Sequence, residues 1–155
     1  MTRRLSAIAR AAPQLISTAT LTLDTPGRGF ADIGRDIEAF LDACDAGNGS
    51  LTVFLRHTSA SLTIQENADP DVRADLLTAL DRLAPESAGW VHDTEGPDDM
   101  PAHIKAMLTG VSLTIPVSGG RAALGTWQGV YLIEHRRAAH RREVVLQYIG
   151  DSGRR

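Results

Sequence analysis

A chain of 155 residues with 43% hydrophobic content can bury a core of its own, and no shift in composition divides it into two domains. The formal net charge of -3, with no basic stripe interleaved with aromatics, argues against nucleic acid as a partner. The only cysteine, Cys44, excludes an internal disulfide framework or a thiolate metal cluster, so any chemistry falls to histidines, carboxylates and hydroxyls.

The opening MTRRLSAIARAAP begins like a signal peptide, but Arg10 interrupts its short apolar stretch and no later run approaches the length of a membrane span. A cytoplasmic protein is expected, one domain over 1–155 with residues 1–12 as a loosely ordered extension. From Leu15 to Leu23, apolar Leu15, Ala19, Leu21 and Leu23 lie opposite Thr18, Thr20 and Thr22, the period of a strand with one wet face. At Asp32 the period lengthens. Ile33, Ile37, Phe40, Leu41 and Cys44 form a helical stripe that should stop at the turn Gly47, Asn48, Gly49. SLTVFLRH, ending at His57, reads as a buried strand, and SLTIQ as its continuation or its partner after a bend. In DPDVRADLLTALDRLAP, Asp69 can cap, Pro70 suits the first helical position, and Val72, Leu76, Leu80 and Leu83 form the stripe of a helix that Pro85 ends. Pro101 should start a short helix through Leu108, closed by Gly110. VSLTIPV then alternates as a strand before a Gly119-Gly120 hairpin turn, and GVYLIEH and EVVLQYI supply two more strands around the basic turn Arg136 to Arg142. Strands in consecutive hairpins with two or three inserted helices predict an α+β fold with a largely antiparallel sheet in a single domain.

Three clusters carry candidate chemistry. In HDTEGPDDMPAHIK, His103 should fall in the first turn of the helix that Pro101 starts, where the helix dipole favours neutral imidazole, the metal-binding form. His92 stands at the other end of this loop, among Glu95, Asp98 and Asp99. In HTSASLTIQENADPD, His57 follows a buried strand, and the small Thr58, Ser59 and Ser61 leave room beside it for a ligand. Glu66 and Asn67 precede a helix N-terminus, and neither strand nor cap requires Glu66. In the third cluster, GTWQG sets Thr126, Trp127 and Gln128 between glycines; periodicity alone would make Trp127 a core residue. Arg121 could pair with a phosphate or a carboxylate, while His135, near four arginines, suggests a surface role.

HTSASLTIQENADPDVRADL, HDTEGPDDMPAHIK and LGTWQGVYLIEHR, in this order, resemble the YjbQ-like family, also called the secondary thiamine-phosphate synthase family. The resemblance covers nearly the whole chain. It implies an α+β fold with a largely antiparallel, β-sandwich-like core, a closed homotrimer, and metal-binding histidines at positions His57, His92 and His103. Three imidazoles suit zinc and leave a position open for water or substrate; magnesium is the alternative if a diphosphate binds. The activity implied is a weak coupling of a pyrimidine diphosphate to a thiazole phosphate. Lys105 and Arg121 would then meet the leaving diphosphate and Trp127 the cationic pyrimidine, with Ser59, Asn67, Thr126 and Gln128 completing the substrate site. Two other readings use the same site. One is a zinc-dependent hydrolase of a small phosphorylated substrate with Glu66 or Glu95 as base. The other is a non-enzymatic metal- or ligand-binding trimer.

Overall fold

The computed structural model describes residues 2–8 and 10–153. The chain forms β1 (Leu15–Thr25), β2 (Gly29–Asp32), α1 (Gly34–Ala43), β3 (Ala46–Leu55), β4 (Ala60–Glu66) and α2 (Pro70–Leu83). A 3-10 turn at Glu86–Ala88 leads to α3 (Asp99–Thr109), β5 (Ser112–Ser118), β6 (Arg121–Ala122), β7 (Gln128–Glu134) and β8 (His140–Ser152). Two antiparallel sheets result, in the strand orders β1-β8-β3-β5-β6 and β2-β7-β4. The α+β class with an antiparallel core matches the expectation.

Alternation decides which face is buried. Leu51, Val53 and Leu55 of β3, Ile115 and Val117 of β5, and Val144, Leu146 and Tyr148 of β8 point inward. They meet Ala60, Leu62, Val130 and Leu132 of the smaller sheet and Ile37 and Leu41 of α1. Each such aliphatic side chain stabilises the fold by roughly 1.5–3 kcal/mol on burial. Strand β7 is buried on both faces from Gly129 to Glu134. Its Tyr131 and Ile133 lie outside the main cluster, with Leu80 and Ala84 on the α2 side and Ala102 and Ala106 on α3.

The outer face of the large sheet is uncovered and uncharged across its middle. Cross-strand rows run Ile16, Ile149, Ser50, Pro116; then Thr18, Gln147, Thr52, Thr114; then Thr20, Val145, Phe54, Ser112. Ile16 is 68% exposed, Phe54 43% and Ile149 40%.

Local signals mark several elements. Asp69 Oδ1 accepts the Asp71 N–H at 2.9 Å, and Pro70 opens α2. Gly119 and Gly120, at φ 56° and 80°, make the two-residue turn that pairs Ser118 with Arg121. Other expectations are corrected. Helix α1 ends at Ala43, because Asp45 at φ 51° already turns the chain, and Gly47–Gly49 belongs to β3. A Cβ on Gly49 would collide with the Ile149 carbonyl, so this glycine serves close strand approach and not a turn. Helix α3 starts at Asp99, which puts Pro101 third and His103 in the second turn; a proline there removes only an N–H that has no helical partner. Hairpins are fewer than expected: only β5–β6 joins neighbours in sequence, whereas β4 and β7 pair with each other, in a different sheet from β3 and β8. Strand β2 was not expected, being too short to show alternation. Of the expected N-terminal extension, Met1 and Ala9 lie outside the described residues, and the described remainder is exposed without regular structure.

Candidate functional site

Helix spacing places Asp99 and His103 four residues apart on one face of α3. Asp99 is 1% exposed, and its Oδ2 lies 2.7 Å from His92 Nε2 and 3.1 Å from His103 Nε2. The Arg136 guanidinium holds the other oxygen, Oδ1, and also donates to Asp98 Oδ2 at 3.2 Å and to the Glu95 carbonyl at 2.8 Å. One ligand atom from each of His92, Asp99 and His103 lies within 4.8 Å of the other two. Burial pushes the Asp99 carboxyl up, but the His92 hydrogen bond and the Arg136 charge outweigh it and hold the group below its usual range. The carboxylate is therefore anionic near neutrality.

Hydrogen bonding fixes the electronic state of the cluster. The Thr58 carbonyl only accepts, so His103 Nδ1, 2.9 Å away, carries a proton. A neutral His103 then turns the lone pair of Nε2 toward an anionic carboxylate oxygen, which is repulsive. A cation removes the conflict, as a second proton on the ring or as a metal ion bound by both groups. The Nδ1–H to carbonyl bond is the arrangement that orients metal-binding imidazoles.

A buried polar layer lies behind the cluster. Glu134, 1% exposed, accepts from Arg142 at 2.6 and 2.7 Å, from Thr25 Oγ1 at 2.7 Å and from the Arg136 N–H at 3.0 Å. Burial raises the Glu134 pKa, and these donors, Arg142 foremost, bring it below the ordinary value. Lys105 is buried as well, with Nζ 2.7 Å from Asp81 Oδ1, a carboxylate that Arg28 also grips. His135 is a correction to the sequence reading: it is 2% exposed, not superficial, because β7 runs between core and helices. Its Nε2 is hydrogen-bonded to Ser61 Oγ at 2.8 Å, while Nδ1 has no partner among the described residues. Burial, reinforced by the Lys105 charge, pushes its pKa down to about 4.

The remaining sequence candidates fall into two places. Beside the cluster, His57 Nε2 accepts the Glu143 N–H at 2.9 Å, and Ser59 Oγ accepts from Arg142 at 3.1 Å. Burial and the Arg142 charge push the His57 pKa down, keeping its ring neutral. Glu95 is exposed in the loop between His92 and Asp99. At the far end of β4, Glu66 accepts the Asp69 N–H at 3.0 and 3.2 Å and the Ala68 N–H at 3.3 Å. Its carboxylate thus has the structural duty that the sequence did not reveal. Asn67 donates to the Thr126 and Gln128 carbonyls, and Gln128 Oε1 accepts the Gly125 N–H at 2.8 Å. Asn67, Gln128 and Arg121 line one cavity of 590 Å³, and Arg121 pairs with Glu38 at 2.9 Å. Trp127 is 64% exposed and is not a core residue. Because Ala60 pairs with Glu134 and Glu66 with Gln128, the two places are separated by the length of β4, roughly 20 Å at 3.3 Å per residue.

Sequence reading missed Asp99 as the centre of the cluster, along with Arg136, Glu134 and Arg142. The i, i+4 spacing to His103 could have found Asp99. No local pattern announces Arg136, whose partner lies 37 residues away.

The family described as UPF0047 protein YjbQ-like matches residues 19–151. A UPF0047 protein of Synechocystis sp. is 48% identical over 132 residues, covering 84% of this chain and 90% of that one. The UPF0047 protein YjbQ of Salmonella typhimurium is 45% identical over 133 residues, 85% of this chain and 96% of its own. Among solved structures, a hypothetical protein of Aeropyrum pernix superposes with a TM-score of 0.80 at 31% identity, covering 87% of this chain and 99% of its own. A conserved hypothetical protein of Thermus thermophilus gives 0.73 at 41% identity, over 82% and 97%. With the match running from within β1 to within β8, and with solved structures superposing on most of its length, the chain belongs to the YjbQ-like UPF0047 family.

Proposed function

We propose that the protein is a divalent-metal hydrolase of a small phosphorylated substrate, with His92, Asp99 and His103 as metal ligands. One observation supports this reading: two imidazole nitrogens converge on one oxygen of a buried carboxylate, in a pattern that calls for positive charge at His103, which a metal ion supplies as well as a second proton does. Two nitrogens and one oxygen suit zinc, and three protein ligands leave a position open. When bound, such an ion supplies Lewis acidity, polarising a phosphoryl oxygen and making water more acidic.

The residues of the chain do the rest. Arg136 keeps Asp99 anionic and fixes its orientation, and the Thr58 carbonyl sets the His103 tautomer. Glu95 is the carboxylate free to act as general base, since Glu66 is held by Asp69 and Ala68. The pyrimidine–thiazole coupling would use the same ligands, but its diphosphate calls for free cations, and Lys105 and Arg121 are already paired with Asp81 and Glu38. The trimer belongs to the same reading: in one chain Trp127 lies far from His92, and a neighbouring copy could bring its GTWQG loop to the cluster.

Elemental analysis of protein purified without added metal, followed by zinc titration of chelator-treated protein, tests the proposal. One zinc per chain is expected, lost in His103→Ala and Asp99→Asn, together with zinc-dependent turnover of a phosphate-ester panel. Zinc content below a tenth of an equivalent at micromolar zinc would overturn it.

A further inference from the structure

His57 and His103 share a second feature. With Thr58, Ala106, Met107, Gly110 and Val111 they line a pocket of 370 Å³, near the lower limit for small-molecule sites. Its walls are mostly apolar, and a Cβ built on Gly110 would meet nothing within 4 Å, so the pocket is open at this backbone. Because His57 Nε2 accepts the Glu143 N–H, the ring proton sits on Nδ1. That nitrogen donates to nothing among the described residues, and Nε2 is no longer free for a metal.

We infer that His57 is a substrate-positioning donor, whose Nδ1–H reads a phosphoryl oxygen of an apolar-ringed phosphate monoester seated in this pocket. The ring lies against Ala106, Met107 and Val111, and the phosphate reaches past His103 toward the cluster. The pocket has room for one ring and not for a nucleotide. His103, on the pocket wall and in the cluster at once, ties binding to the reacting end. The neutral ring of His57 makes it a donor that does not compete for the cation. This inference rests on the phosphate-hydrolase reading for the reaction, but the pocket's preference can be measured without turnover.

Calorimetric titration with phenylphosphonate and with inorganic phosphate, on zinc-loaded and on chelator-treated protein, separates the two. Phenylphosphonate should bind at least tenfold more tightly than phosphate. Met107→Asp should abolish that preference. His57→Ala should weaken phenylphosphonate about tenfold with zinc content unchanged, and His57→Gln, whose amide can accept from Glu143 and still donate, should recover most of the loss. A preference that persists and depends on His57 in protein that takes up no zinc would sink the metal reading alone. Equal affinity for the two anions, unchanged phenylphosphonate binding in His57→Ala, or loss of zinc in that variant would each overturn the assignment of His57.

Discussion

At the scale of single residues, environment decides roles that residue type leaves open. The five histidines include one with a pKa pushed down to about 4, His135, and its neutrality has a consequence for stability. Between the ordinary value of about 6.5 and about 4, the unfolded chain binds a proton that the folded one refuses, so stability should fall by about 3 kcal/mol as pH drops through this window and stay level above it. Denaturant titrations from pH 8 to 4 on wild type and His135→Gln check this. The variant should lack that part of the slope, and parallel curves would show that His135 is not the group concerned. Carboxylates held low, such as Asp99 and Glu134, begin to lose their contribution below about pH 5 and do so in both proteins, so the difference between the two curves isolates His135. Glu66 makes the opposite point. Its carboxylate anchors the turn into α2, so Glu66→Gln should lower stability by about 1 kcal/mol, a melting shift of roughly 2–4 °C in a domain of this size, with activity per folded molecule retained. A hundredfold loss of turnover with an unchanged melting temperature would restore it as a catalytic base.

At the scale of elements, what was legible is what is local. Asp69-Pro70 announces α2, and Gly119-Gly120 announces its hairpin, because capping and left-handed turns depend on neighbours in sequence. Strand pairing is not of this kind. β1 and β8 show their periods, but nothing in either says that they pair with each other, since partners more than a hundred residues apart are chosen by the closure of the whole core. The site divides in the same way. His92 and His103 were visible as candidates on one loop, whereas Arg136 gains its meaning only when the β7–β8 connection folds over α3. Gly47–Gly49 was read as a turn because glycine's two uses, turning and close approach, look alike in a sequence. Gly49→Ala should cost more than 2 kcal/mol, although alanine is the better strand residue by roughly 0.5–1 kcal/mol, because its Cβ would press on the Ile149 carbonyl and part β3 from β8. A loss under 1 kcal/mol in chemical denaturation would mean that the strands yield there without strain.

At the scale of the whole molecule, the uncharged outer face of the large sheet offers Thr, Ser and Gln rows that a different face of a neighbouring copy can cover without burying charge, the head-to-tail contact that a closed trimer needs. Light scattering should give about three times 16.6 kDa at micromolar concentration, and Thr52→Lys, which sets a charge in the middle row, should shift that mass toward one chain. A monomeric wild type would dismiss the trimer. No helix among the described residues is long and apolar enough to cross a membrane. The pairing of β1 with β8 has one more consequence. Leu15 faces Gly150 at one end of the ribbon and Thr25 faces His140 at the other, so handles fixed at Leu15 and Gly150 would pull the two strands apart crosswise. Tension would then reach the inter-strand bonds one after another instead of loading them together. The molecule should peel open at low force from that edge, like a zipper, while the same ribbon gripped at Leu15 and His140 would be sheared along its length and resist far more.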